Sequence, residues 1–320
     1  MNRVRTIILF FSILSFTLIV NAQEDYDFYL QKARQRLAEG DCTRAEASYN
    51  TYKDMAHNTN EEIEQLIEEC KTGIPIVNEG DLAFTVNGIS FIMKHIEGGA
   101  FWMGAQKDNP QGINYDIEAE NNESPIHHVT VGSFYMGETE VTQALWKAVM
   151  GTNPSYYIGD DFPVDQVNWE DCQSFIRELN LVTGSHFRLP TESEWEYAAR
   201  GGVSSRGLKY AGGSNIDDVA WYNNNSGRTT HSVKIKSPNE LGLYDICGNV
   251  LEWCQDWYGN YDRVSQTNPK GSSGGTCHIL RGGSLYYGSR MCRLAYRYIM
   301  DPTFNGVNYG YGLRLVLSQQ

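Results

Sequence analysis

The feature that most constrains the fold is the last third of the chain, which is rich in glycine and aromatic residues but has no long periodic segment. From Gly242 it reads GLYDICGNVLEWCQDWYG, from Arg281 RGGSLYYGSRMCRLAYRY, and the segment that ends at Val316 reads YGLRLV. Two upstream segments have the same character: GGAFWMG from Gly98 and FRLPTESEWEYAARGG from Phe187. With 31 Gly, 20 Tyr and 7 Trp in the chain, we predict a loop-rich fold whose core consists of large rings instead of long helices.

Length and charge limit the class of protein. At 320 residues the chain is long enough for one large domain and one small domain. The formal net charge is −13. Because nucleic acids are bound by basic surfaces, this charge argues against a nucleic-acid partner.

Residues 1–22 have the features of a secretory signal peptide. Two arginines precede an apolar run from Ile7 to Val20, and Ala22 supplies the small residue expected before a cleavage site. The run is short for a membrane span. The mature chain would begin at Gln23, which is not a cysteine, so a lipid anchor is not indicated there. We expect an exported protein without a transmembrane span in its mature chain, in the periplasm, on the cell surface or secreted.

Residues 23–73 are predicted to form a small helical hairpin that resembles one tetratricopeptide unit, followed by a linker at residues 74–82. Apolar residues recur at helical spacing, and a capping box begins at Thr59. If the last two helices are antiparallel, Cys42 and Cys70 lie at the same end, where a disulfide can join them in an oxidising compartment. One such unit rarely stands alone, so we expect it to dock on the main domain or on a partner.

The next segment begins with a predicted β-hairpin from Phe84 to Ile96, in which Asn87-Gly88 is the turn. Three short helices follow, each with a glycine after its end; the first and third begin at a capping threonine. They are predicted at Thr142 to Met150, Asn168 to Val182 and Thr191 to Arg200.

In their order and spacing, the five segments quoted above resemble the formylglycine-generating enzyme (sulfatase-modifying factor) family, from Phe84 to Val316. The resemblance implies an α+β fold. Its main part would be a loop-rich domain related to C-type lectins at residues 83–318, with the N-terminal helical hairpin before it.

The resemblance also implies a copper site, and this sequence departs from it. Active members of the family bind one copper ion between two thiolates, in the pattern GGS-x2-Cys-x4-Cys, and use oxygen to oxidise a substrate cysteine to formylglycine. Here Tyr287 stands at the first cysteine position and Cys292 at the second, while Ser284, which matches a serine lining the oxygen pocket, is retained. A phenol with a pKa near ~10 is a poor Cu(I) ligand, so copper is not expected. Cys292 is then either a surviving catalytic thiol or a buried or disulfide-bonded one.

A second candidate metal site lies in the segment from Asp245 to Glu252. These two carboxylates lie within eight residues, and calcium takes several oxygen ligands of this kind. The matching segment of the family binds calcium, so the resemblance implies a site formed by the side chains of Asp245 and Glu252 and the carbonyls of Gly248 and Val250. The alternative is a buried turn in which Glu252 accepts backbone N–H groups.

The segment from Leu285 to Tyr311 combines tyrosine and asparagine with glycine and serine. Such a mix is typical of paratopes, because rigid rings supply contact area and small polar residues supply adaptable hydrogen bonds. It also resembles the variable C-terminal segments of lectin-fold proteins that are diversified by retroelements. The alternative is that the rings belong to the core. The candidate surface residues are Tyr286, Tyr287, Tyr296, Tyr298, Asn308, Tyr309 and Tyr311.

Three functional hypotheses follow, and the fold alone does not choose among them. In the first, the chain is an exported, non-oxidising relative of the formylglycine-generating enzymes that binds a protein, peptide or glycan as part of envelope or surface machinery. In the second, it is an oxidase that converts a sulfatase cysteine to formylglycine with Cys292 as the surviving thiol. In the third, it is a retroelement-diversified lectin-fold protein that binds ligands.

Overall fold

The computed structural model describes residues 28–37, 42–57, 59–72, 80–304 and 310–318. The chain divides into two compact units, Met1–Ile76 and Val77–Gln320. The predicted signal peptide and most of the predicted linker lie outside the described residues, as do Asn308 and Tyr309. Among the helices that the structure describes, none is both long and apolar enough to cross a membrane.

The smaller unit contains helices α1 (residues 28–37), α2 (Cys42–Ala56) and α3 (Glu61–Thr72). Their buried faces meet in a small cluster in which Tyr49 and Ile63 are almost fully buried. The Tyr49 hydroxyl donates to the Asn60 carbonyl at 3.0 Å, and Asn60 Oδ1 accepts from the Ile63 N–H at the start of α3. Cys42 is disulfide-bonded. The side chain of Cys70, its predicted partner, lies outside the described part of the chain.

The larger unit is built from short strands joined by long loops, as the sequence predicted. The strands are β1 (Leu82–Val86), β2 (Ile89–Ile96), β3 (Gly99–Met103), β4 (His127–Val131), β5 (Phe134–Gly137), β6 (Phe187–Arg188), β7 (Ala220–Trp221), β8 (Cys247–Gly248), β9 (Leu251–Trp257), β10 (Gln266–Thr267), β11 (His278–Arg281), β12 (Tyr298–Met300), β13 (Tyr311–Gly312) and β14 (Val316–Ser318). They form sheets of order β1-β2-β5-β14-β6, β10-β4-β3, β12-β11-β9-β13 and β7-β8.

Local signals account for the hairpin and the helices. The turn between β1 and β2 has positive φ at Asn87 (49°) and Gly88 (86°), which suits an Asn-Gly hairpin turn. The helices are α4 (Gln143–Met150), α5 (Trp169–Thr183), α6 (Glu192–Ala199) and the single-turn α7 (Ile216–Val219), and 3-10 turns lie at Asn121–Glu123, Gly202–Ser204 and Ser289–Cys292. Thr142 and Thr191 cap α4 and α6, as predicted, and Asn168 caps α5.

Large rings form the core of this unit. Buried hydrophobic residues make two main clusters, one around Trp195 and one around Trp253. Three arginines, Arg281, Arg293 and Arg314, are also among the largest fully buried side chains, and each is paired with a glutamate. A buried charge is costly unless it is paired and hydrogen-bonded, so these ion pairs fix how the loops are arranged.

Candidate functional site

The segment that carries Ser284 turns sharply after β11. Gly282 and Gly283 both have positive φ, at 93° and 78°. A Cβ on Gly283 would lie only 2.7 Å from Cys292 Sγ, so this position needs glycine. The glycine pair therefore lets the backbone pass directly over the thiol of Cys292. The side chain of Ser284, the next residue, is fully buried.

Cys292 lies in an apolar environment. Its side chain is 0 % exposed and packs in the Trp195 cluster, which also holds Cys247 and Cys254. Burial raises the pKa of the Cys292 thiol well above its ordinary value. The thiolate is the form that binds metals and attacks electrophiles, and burial disfavours that form at Cys292.

Tyr287 packs against a different part of the core from Cys292. Its partly buried ring lies against the Trp253 cluster, and its hydroxyl is 3.3 Å from the Tyr298 hydroxyl, which is in turn 3.3 Å from that of Tyr311. Tyr287 and Cys292, which hold the two family cysteine positions, thus belong to different clusters. Within the described ranges, no three His, Cys, Asp or Glu side chains converge in a way that could hold a metal ion.

Glu252 is saturated by side chains. Its Oε1 accepts from Arg314 Nε at 2.9 Å and Nη2 at 2.6 Å, and its Oε2 accepts from Trp195 Nε1 at 2.7 Å. All three side chains are fully buried. A calcium ion at Glu252 would have to displace the guanidinium, so Glu252 does not fit the ligand role that the family resemblance implies. The alternative expectation was that Glu252 accepts backbone N–H groups; the partners that the described residues supply are instead the side chains of Arg314 and Trp195.

Asp245 has one oxygen to spare. Its Oδ2 accepts from the Lys234 N–H at 2.9 Å, while its buried Oδ1 has no hydrogen-bond partner among the described residues. Burial raises the pKa of Asp245 to about 6. Sequence reasoning missed the carboxylate that actually binds this turn: Glu140 accepts from the Val250 N–H and from Asn249 Nδ2, both at 3.0 Å. Burial, together with the nearby Asp245 and Glu252 charges, raises the pKa of Glu140 well above its usual value.

A calcium titration distinguishes these roles. We expect Glu252→Gln to lower the melting temperature by the same amount in millimolar calcium and in chelator, because Glu252 is bound by Arg314 and not by a cation. A ligand that binds only the native state raises its stability, so a site at Asp245 would give a calcium-dependent rise that is lost in Asp245→Asn. A calcium-dependent rise that is lost in Glu252→Gln would contradict our assignment.

The candidate tyrosines differ in exposure. Tyr286 and Tyr287 are partly exposed, and Tyr298 is half-buried against the Trp253 cluster. Tyr296 is also half-buried, with the Arg293 guanidinium 5.7 Å from its ring centroid. Tyr311 is only 2 % exposed, so its assignment to an exposed surface is wrong and it belongs to the core.

A second segment completes the exposed aromatic surface, and sequence analysis did not identify it. Tyr156 is 56 % exposed, and its ring packs edge-on against Tyr157 at a centroid distance of 4.8 Å. Burial raises the pKa of Tyr286 to about 12, and the neighbouring Tyr157 and Tyr156 add to the shift, so the two segments lie next to each other. The Asn223 N–H donates to the Tyr287 carbonyl at 3.1 Å. We call Tyr156, Tyr157, Tyr286 and Tyr287 the aromatic face.

Comparison with known proteins identifies the type of domain. The model for the "Sulfatase-modifying factor enzyme 1-like domain" matches residues 91–319. The formylglycine-generating enzyme of Streptomyces coelicolor is 33% identical over 190 residues, which cover 53% of this chain and 58% of the enzyme. The chain thus spans less than two thirds of that enzyme.

Two other relatives carry different names. Chaperone protein LppX of Paenibacillus barcinonensis is 31% identical over 242 residues, covering 60% of this chain and 82% of LppX. The structure of Treponema denticola variable protein 1 superposes with a TM-score of 0.65 and 31% identity, over 76% of this chain and 100% of that one. Similarity is therefore not confined to formylglycine-generating enzymes.

Proposed function

The chain belongs to the sulfatase-modifying factor enzyme 1-like family, and from this premise we propose that it is an exported, non-oxidising member that binds a polypeptide ligand at the aromatic face. The proposal rests on the residues at the two family cysteine positions, Tyr287 and Cys292. One is a tyrosine, and the other is a buried thiol in a different cluster. Neither presents a thiolate to a substrate.

The aromatic face supports a binding role. Its rings are neighbours: Tyr156 packs edge-on against Tyr157, and both lie near Tyr286. Tyrosine combines a large rigid apolar area with a polar tip at a low entropic cost, which is why it is common at interfaces. Ile158, adjacent in sequence and 68 % exposed, extends the apolar area.

A peptide-library selection tests the proposal. We expect the full chain to enrich peptides whose affinity falls at least about tenfold in a Tyr156→Ala/Tyr286→Ala variant, because truncating a tyrosine that is a binding hot spot costs about 2 kcal/mol or more. Ile117→Ala is the control, since Ile117 is an exposed apolar residue, at 70 %, that is not part of the aromatic face. Enriched peptides that bind the Tyr variant as well as the wild type would refute the aromatic face as the binding site.

A further inference from the structure

A separate cleft of about 290 Å³ lies where the end of β9 meets the start of α6. Its walls include Glu192, Asp256, Tyr261 and Arg297. We propose that this cleft binds one unit of a small, uncharged, polyhydroxylated molecule, that is, a monosaccharide.

The walls of the cleft are fixed by buried hydrogen bonds. Glu192 accepts from Arg297 Nε at 2.7 Å and Nη2 at 2.8 Å, and from the Tyr261 hydroxyl at 3.1 Å. The Arg297 guanidinium lies 4.0 Å from the centroid of the Tyr261 ring. A site with walls held in this way is preorganised, which lowers the entropic cost of binding a small ligand.

Two polar side chains in the cleft each have one atom that makes no hydrogen bond to the described residues. Asp256 is 3 % exposed, and its Oδ2 accepts from the Glu192 N–H at 3.0 Å, but its Oδ1 has no partner among the residues described. His127 is equally buried, and its Nδ1 lies 3.1 Å from the Pro125 carbonyl. Its other nitrogen, Nε2, makes no hydrogen bond to the described chain. Both atoms are therefore available to a ligand or to water in the cleft.

Two amides complete the polar lining. The side chains of Asn260 and Gln266 line the same cleft, and neither amide is hydrogen-bonded within the described ranges. Each amide offers both a donor and an acceptor. Since each sugar hydroxyl also donates and accepts, the free atoms of Asp256 and His127 and the two amides match a ligand that carries several hydroxyl groups.

The charges around the cleft favour a neutral ligand. On the walls of the cleft, the Glu192 carboxylate is paired with the Arg297 guanidinium, so their charges cancel. Burial and the neighbouring Glu192 charge raise the pKa of Asp256 to about 8, so it also serves as a donor at neutral pH. The volume is at the lower end of the ~300–1,000 Å³ that is usual for ligand pockets, which limits the occupant to one small unit.

Saturation-transfer NMR and calorimetry on the full chain test the proposal with methyl glycosides of glucose, galactose, mannose and N-acetylglucosamine. We expect at least one to bind with a dissociation constant in the millimolar range or tighter, and at least tenfold more weakly to Asn260→Ala/Gln266→Ala. Both positions lie at the cleft's wall and not in the core, so this variant should keep the wild-type melting temperature. Gln111→Ala, an exposed glutamine outside the cleft, is the control that should bind normally.

The remaining outcomes also decide the question. Tighter binding of an oligosaccharide that ends in the same sugar would identify a glycan and not a free sugar as the source. If none of the four glycosides binds, or if binding is unchanged in both the amide variant and Asp256→Asn, the proposal is wrong.

Discussion

Replacing Arg314 by methionine is expected to destabilise the larger unit by about 3–5 kcal/mol, because it leaves the Glu252 carboxylate buried without its cation. Arg314 donates to both oxygens of Glu252 and also to the carbonyls of Gly137 at 2.9 Å and Tyr244 at 2.8 Å. The guanidinium therefore joins three separate segments of chain in the interior. Urea unfolding followed by tryptophan fluorescence measures the loss in this unit alone, since all 7 Trp lie between residues 102 and 257.

Two further variants test whether the loss of stability arises from the unpaired buried charge. Arg314→Met combined with Glu252→Gln removes both charges and should recover part of the loss, because no uncompensated carboxylate remains. Lys147→Met removes an exposed cation that is paired with Asp160 and should cost no more than about 1 kcal/mol. An Arg314→Met variant that is as stable as Lys147→Met would show that the buried pair has no special role.

The elements that could be predicted from sequence are those with local causes. The Asn87-Gly88 turn and the caps Thr142, Asn168 and Thr191 each act within a few residues, so the hairpin and three helices were identified at nearly the right bounds. The ring-rich core was also predictable, because aromatic residues bury large areas and the last third of the chain has no helical period.

The parts that could not be predicted depend on pairs far apart in the chain. Glu252 was recognised as a special residue, but nothing near it in sequence indicates that Arg314 is its partner, or that Glu140 binds the turn at Val250. In the same way, Tyr156 and Tyr286 are far apart in the sequence, and only the fold brings them close together. Tyr311 was assigned to the surface because residue type alone does not separate an interface tyrosine from a core one.

The chain from Gln23 onward is expected to leave a sulfatase-type Cys-x-Pro-x-Arg peptide unoxidised in the presence of Cu(I), oxygen and a thiol reductant. Tyr287→Cys is also expected to stay inactive, because Cys292 packs in the Trp195 cluster while position 287 faces the Trp253 cluster. Mass spectrometry of the peptide measures the outcome, with a two-cysteine family enzyme as the positive control. Copper-dependent formylglycine formation that disappears in Cys292→Ser would show that one thiol suffices and would overturn the non-oxidising proposal.

Thiol labelling of the native protein tests whether burial of Cys292 is the reason why the peptide is not oxidised. Cys277 is partly exposed and should react first, whereas Cys292 must be released by unfolding before it can form a reactive thiolate. With an unfolding free energy of about 5 kcal/mol or more, labelling at Cys292 should be slower by at least ~10³-fold. If Cys292 is protected and the peptide is unoxidised, burial of the thiol explains the missing activity. If Cys292 labels as fast as Cys277, the thiol is accessible, and the missing partner at position 287 alone must explain the lack of oxidation.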